Sequence, residues 1–147
     1  LDMHAAVMAD INQQDIFIAC AAVADYRPEN IAEQKIKKTN SDEMVVRMIK
    51  NPDIVASVAA LENSPFTVGF AAETQDVEHY ARDKMQRKNL AMIAANDVAQ
   101  SGQGFNAEDN ALTVFWPQGR AQIALASKQD VAAQLLQLIA RRFNANT

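Results

Sequence analysis

A mostly parallel β-sheet covered by helices on both faces is what the order of hydrophobic segments predicts for this chain. Three observations carry that prediction. Short continuous apolar runs, DIFIAC, FTVGFAAE and LAMIAAN, read as buried strands. Amphipathic stretches with helical period lie between them, so neighbouring strands are joined by helical crossovers and run parallel. One feature departs from this Rossmann-like α/β pattern: a hairpin late in the chain.

Taken in order, LDMHAAVMADIN reads as a helix whose apolar face is Leu1, Ala5, Val7, Met8 and Ile11, and DIFIAC as the strand after it. A charged loop follows, and then MVVRMIK as a strand. NPDIVASVAALE reads as a helix with Asn51 as its cap and Pro52 at its first position. FTVGFAAE is a strand, DVEHYARDKMQRK an amphipathic helix with Tyr80 and Met85 toward the core, and LAMIAAN a buried strand. ALTVFW and RAQIALA form the hairpin around Pro117 to Gly119. KQDVAAQLLQLIARR closes the chain as a helix whose cationic end complements its dipole. The longest irregular stretches are 24–43 and 97–109, lengths at which loops tend to be functional.

Composition bounds the function. The chain has 147 residues, 49% of them hydrophobic, which is enough for one core and points to a single domain over 1–147. Its net charge of -4 argues against a surface built for nucleic acid. The single cysteine, Cys20, sits in an apolar run and forms no disulfide within the chain. No apolar stretch approaches the ~20 residues of a membrane helix, and no signal peptide is visible, so a cytoplasmic protein is expected. Leu1 stands where an initiator methionine would, within what reads as the body of a helix, so the chain is expected to begin partway through something larger.

Four glycines, at 69, 102, 104 and 119, make neither a dinucleotide fingerprint nor a Walker loop, and GQG at 102–104 alone is a weak signal. Two histidines, His4 and His79, and one cysteine make a zinc site improbable, and both histidines read as helix-surface residues. In a parallel sheet the ligand sits beyond the carboxyl ends of the strands, so the lysine loop, AAE, AAND and the start of NPDIV should converge there. Lys35, Lys37 and Lys38 fit either a solvated charge run or a cationic loop that follows a polyphosphate, with Ile36 as its apolar anchor. Asp25 fits a ribose or Mg²⁺ contact, or equally a turn residue paired with Arg27. Free N–H groups at NPDIV suit a polar base edge more than a phosphate, because Asp53 already complements the dipole. Lys84 and Lys88 share a helix face with Arg87 near them, and pattern alone favours an exposed basic face. Glu73 and Asp97, at strand ends, are candidates for metal or proton work or for turn caps.

AAVADYRP, KIKK, NPDIV, VGFAAET, KNLAMIAANDV and GFNAEDNALTVF, in this order, closely resemble the phosphopantothenoylcysteine synthetase domain of bacterial coenzyme A biosynthesis, over about residues 1 to 140. The resemblance implies a CTP-dependent ligase of coenzyme A biosynthesis. It would activate 4'-phosphopantothenate as an acyl-cytidylate, with Mg²⁺, and then couple it to L-cysteine. It implies a catalytic Lys35, and nucleotide contacts at Ala19, Ala21, Asp25, Lys35, Pro52, Asp53, Ile54, Val55, Phe70, Lys84 and Lys88. It names no metal ligand. The family's first strand, glycine loop and cysteine-step asparagine do not precede Leu1, and FMN belongs to a decarboxylase domain that this stretch lacks, so impaired turnover is expected; because the family forms dimers through this domain, the resemblance also implies a homodimer. The alternative is a non-catalytic Rossmann-like nucleotide-binding or dimerisation module.

Overall fold

The computed structural model describes residues 1–37, 42–97 and 108–146. Its elements in chain order are α1 (Asp2–Asp10), β1 (Ile16–Ile18), β2 (Tyr26–Pro28), β3 (Met48–Lys50), α2 (Ile54–Ala59), β4 (Phe66–Glu73), α3 (Val77–Arg87), β5 (Met92–Asp97), β6 (Asp109–Trp116), β7 (Gly119–Ser127) and α4 (Lys128–Asn146). The main sheet has the order β1-β4-β5-β6-β7. β1, β4 and β5 pair in parallel, as their helical crossovers require, while β6 and β7 add to the far edge as an antiparallel hairpin.

Alternation along the strands divides the sheet into two apolar faces. On one face Val68, Met92, Ala94, Leu112, Val114 and Ile123 pack against Val131, Leu135 and Ile139 of α4, which recur one helical turn apart. On the other, Ala71, Ile93, Ala95 and Phe115 pack against α2 and against Ala81 and Met85 of α3. Ser127 opens α4 by accepting from the Asp130 N–H at 3.1 Å and donating to its carboxylate at 2.7 Å.

Several expectations change. MVVRMIK shrinks to β3 and pairs antiparallel with Tyr26–Pro28, from the stretch expected as a charged loop, outside the main sheet. The two form a separate arm in which Tyr26, Met44, Val45, Val46 and Met48 are all exposed. A period-2 run with no covering face cannot show in sequence which sheet it joins. Of the expected apolar face of the first segment, Ile11 is buried just past the end of α1 and Val7 and Met8 are half-buried, while Leu1 and Ala5 point to solvent. Tyr80 is also exposed, stacking edge-on with His79 instead of entering the core. Cys20 is exposed because β1 ends two residues before it. Arg141 and Arg142 lie within α4, which runs on past them, so they do not form its end; Arg142 instead stacks over the Trp116 ring. Among the described residues no helix is long and apolar enough to cross a membrane.

Candidate functional site

The carboxyl ends of β1 and β4 open into a cavity of about 580 Å³, a size suited to a small-molecule ligand. Its wall begins where the chain leaves β1. Ala19 N–H still bonds Val68 across the ladder at 2.9 Å, and Cys20 N–H then turns back to Ile18 at 3.1 Å, which swings residues 19–25 along the rim.

The opposite wall is the start of α2. Its cap is Asp53, not Asn51: the Asp53 carboxylate accepts the Ala56 N–H at 3.0 Å. Asn51 is engaged elsewhere, donating to Ala24 at 2.8 Å and accepting from Arg27 at 2.9 Å, while its own N–H bonds the Asp25 carbonyl at 2.7 Å. Arg27 also donates to the Lys50 carbonyl at 3.1 Å, so its guanidinium ties the arm to the wall and is not turned to Asp25. These bonds clamp segments 24–25 and 50–53 together across the rim.

The floor is β4. A Cβ on Gly69 would fall 2.6 Å from Leu90 Cδ1, so glycine allows Leu90 to seat beneath the strand. Leu90 arrives there through the end of α3. Asn89 takes a left-handed turn at φ 54°, its N–H bonds the Gln86 carbonyl at 3.1 Å and the Leu90 N–H bonds Met85 at 2.9 Å. That closure fixes the last turn of α3, which carries Lys84 and Lys88 into the cavity.

Neither lysine is the exposed basic residue that pattern favours. Lys84 donates to the Phe70 carbonyl at 2.9 Å. Burial, and then the like charge of Lys88, pushes its ammonium below the usual lysine range, and Glu73 and Asp53 only partly offset this. Lys88 pairs with the Asp53 carboxylate. Partial burial by itself would raise that carboxyl, but the Lys88 ammonium and the Ala56 N–H together hold it below its ordinary value. Asp53 therefore caps the helix and orients a cation at once.

Ala19, Ala21, Asp25, Pro52, Asp53, Ile54, Val55, Phe70, Lys84 and Lys88 all line this one cavity. Lys35 does not: it and Lys37 lie on an exposed segment away from the lining, and Lys38 is outside the described residues. Ile36 is 63% exposed and anchors nothing. Glu73 ends β4 beyond the lining, Asp97 ends β5, and GQG at 102–104 is outside the described residues. His4, read as a surface residue, is half-buried at 3.3 Å from the Ser57 hydroxyl, linking α1 to α2. Asn96, within the AAND run expected at this end of the sheet, lines the cavity too, and so do Lys50, Asn110 and Lys128, which sequence reasoning did not single out. No local pattern marks Lys50, Asn110 or Lys128 as lining residues. Among the described residues no three histidine, cysteine or carboxylate side chains cluster as a metal cage.

Residues 1–143 match the family model described as the DNA/pantothenate metabolism flavoprotein C-terminal domain. The chain is 63% identical over 141 residues to the coenzyme A biosynthesis bifunctional protein CoaBC of Vibrio cholerae, covering 95% of this chain and 35% of that protein. It is 54% identical over 147 residues to CoaBC of Escherichia coli, covering 98% of this chain and 36% of that protein. The chain thus spans about a third of the length of these curated relatives. The crystal structure of the C-terminal domain of CoaBC superposes with a TM-score of 0.76 at 30% identity, covering 98% of this chain and 62% of that one.

Proposed function

The chain belongs to the DNA/pantothenate metabolism flavoprotein C-terminal domain family, and from that premise we propose that it forms the nucleotide-handling part of a phosphopantothenate–cysteine ligase of coenzyme A biosynthesis. The observation that carries this reading is the cavity itself. Two partly buried lysines, a capped helix start and the chain leaving β1 meet at the carboxyl ends of parallel strands, where a nucleotide fits.

CTP would lie with its phosphates toward Lys84 and Lys88 and its base toward the main chain of Pro52 to Val55, with Ala19, Ala21 and Asp25 along its ribose and Phe70 beneath. A carboxylate oxygen of 4'-phosphopantothenate attacks the α-phosphorus, the bond to the β-phosphate oxygen breaks and pyrophosphate leaves. The amine of L-cysteine then attacks the acyl carbon of the cytidylate, loses a proton, and CMP departs. Charge grows on the α-phosphate oxygens in the first step, and fixed ammonium groups stabilise it. Mg²⁺ usually reaches such a site on the nucleotide with one or two protein carboxylates and needs no protein cage. Asp25, on the rim, fits that role, whereas Asp53 is already engaged by Lys88 and Ala56.

Lys35 serves the first step by coming over the cavity from the exposed arm segment, in its own chain or in a second copy. The apolar exposure of Ile31, Ile36, Met44 and Val45 on that arm supports a homodimer closed through it. A cytoplasmic setting and a single domain over 1–147 complete the reading.

Titration calorimetry with CTP and then ATP, in Mg²⁺, tests it. Saturable CTP binding with weaker ATP binding is the expected result, and no CTP binding by a chain with a cooperative melting transition overturns the assignment. In a turnover-competent protein, Lys35→Gln should slow pyrophosphate release by about 100-fold while CTP binding survives. Equal rates would leave Lys35 without a role and the cavity as a binding module.

A further inference from the structure

Apolar packing fastens α1 at its far end. Ile11, just past the last turn, is 3% exposed, whereas Leu1 and Met3 at the first turn are exposed. Roughly 10 Å of helix separates His4 from Ile11, so the burial of Ile11 does not fix the first turn. What holds that turn is His4, half-buried, with its Nε2 at 3.3 Å from the Ser57 hydroxyl on α2. Among the described residues this is the only side-chain hydrogen bond from α1 to another element.

The direction of the bond follows from what Ser57 does with its own proton. Its hydroxyl donates to the Asp53 carbonyl at 2.8 Å, one turn back along the chain. A hydroxyl has one proton to give, so Ser57 accepts from His4, and the imidazole carries a proton on Nε2. A neutral ring suffices. The same Asp53 carbonyl accepts the Ser57 N–H at 2.9 Å, while the Asp53 carboxylate is engaged separately by the Ala56 N–H and Lys88. His4 therefore acts on the main chain of Asp53, through Ser57, and Lys88 acts on its side chain. Met3, next to His4, lines the cavity together with Pro52 to Val55, so the bond joins two pieces of one wall.

We infer that His4 is a positioning residue: through Ser57 it sets the main chain of Pro52 to Val55 against the Met3 turn, and it governs base selectivity instead of the hold on phosphates. The inference rests on the nucleotide reading of the cavity for its ligand, whereas the chain of bonds from His4 through Ser57 to Asp53 stands without it. A main-chain edge tells bases apart by the donors and acceptors that the wrong base leaves unpaired, and a displaced edge loses that discrimination. The phosphate side is held by Lys84 and Lys88, which take their places from α3 and from the Asp53 carboxylate.

Titration calorimetry with CTP and with ATP, in Mg²⁺, reads the two effects apart. His4→Phe keeps a ring and removes the donor, Ser57→Ala removes the acceptor, and His4→Gln returns a neutral N–H donor. CTP affinity should fall by about 3- to 10-fold in His4→Phe and in Ser57→Ala, the loss of about one hydrogen bond. ATP affinity should stay within about twofold, so that the preference for CTP narrows. The double variant should lose no more than Ser57→Ala alone, because both substitutions break the same bond. His4→Gln should bring CTP affinity back to within about twofold of the unaltered chain. Equal CTP affinity in His4→Phe and the unaltered chain overturns the inference, and so do equal losses for CTP and ATP, which would mark a general loosening of the cavity. His4→Gln no better than His4→Phe refutes the hydrogen bond as the carrier of the effect. If His4→Phe lacks a cooperative melting transition, Ser57→Ala decides by the same comparison. An unaltered chain that prefers CTP and is indifferent to both substitutions refutes the inference alone. One that binds CTP no better than ATP, or binds neither, refutes the base reading of the wall and the inference with it.

Discussion

Lys84 is an ammonium group held where burial disfavours its charge, with Lys88 one helical turn away and its hydrogen bond directed at the Phe70 carbonyl. Its depressed value has a definite sign for stability. The unfolded chain binds the Lys84 proton more tightly than the folded one, so folding gains stability as pH rises from the folded value toward the ordinary lysine value. The sign for a polyphosphate ligand is opposite. Bound anionic oxygens restore the charged form, so binding takes up a proton and affinity falls as pH rises through the lowered value. Calorimetry at alkaline pH, where the free Lys84 loses its proton, in two buffers of different ionisation enthalpy should show that uptake for the unaltered chain and its loss in Lys84→Met. The same variant should lower nucleotide affinity by about 10-fold or more and leave the melting temperature unchanged or raised. A fall in melting temperature with unchanged affinity would make Lys84 a structural residue. Asp53 behaves in the other direction. Its cap and its Lys88 pair are present above its ordinary value of 3.8 and are lost as pH falls through the lowered one.

At the scale of elements, the arm of β2 and β3 meets the site through Asn51, whose side chain bridges Ala24 and Arg27. Asn51→Ala removes both contacts while leaving the Asp53 cap intact. It should weaken nucleotide binding by about 5- to 10-fold, the effect of losing roughly one hydrogen-bonded tether, with little change in the cooperative melting of the main sheet. Equal affinity for variant and parent would show that segments 24–25 and 50–53 hold their places without it. The arm is also where the sequence was least legible. Strands buried on both faces, β4 and β5, announce themselves as continuous apolar runs, and α3 by its period of 3.6. β2 is only three residues long and includes Pro28, so it carries no periodic signal. Asn51 before Pro52 fits the cap pattern as well as Asp53 does, and the choice is made by tertiary bonds to Ala24 and Arg27 that no local rule contains. Motif order brought ten of the residues expected at the site to one cavity lining, because strand ends and helix starts converge by topology. Lys35 stands apart because an exposed segment has no packing to fix its reach, and the AAND run gave Asn96 a place but not its unpaired oxygen, which exists only in three dimensions.

The whole molecule couples stability to the site unequally across its sheet. Both faces are packed to closure, with Val114 and Phe115, consecutive on β6, facing opposite cores at 0% and 1% exposure. Yet only the α3 core stands directly beneath the lysines of the cavity. Met85, 6% exposed, is flanked on its helix by Lys84 and Lys88, so collapse around a truncated Met85 displaces both cations. Ile139, 2% exposed on α4, belongs to a core that meets the cavity through Ile18, Phe70 and Leu112. Met85→Ala and Ile139→Ala should each cost about 2 to 5 kcal/mol of stability, since both leave cavities in close-packed surroundings. Their effects on binding should separate. Well below the melting transition, Met85→Ala should weaken nucleotide affinity by about 10-fold, because a 1 Å misplacement of a positioning group is enough to lose that much. Ile139→Ala should stay within about twofold of the parent, since it reaches the nucleotide only through Phe70 and touches neither lysine. Thermal melts paired with calorimetry on the two variants check both arms, and equal losses of affinity would show that the sheet transmits packing changes to the whole cavity as one body.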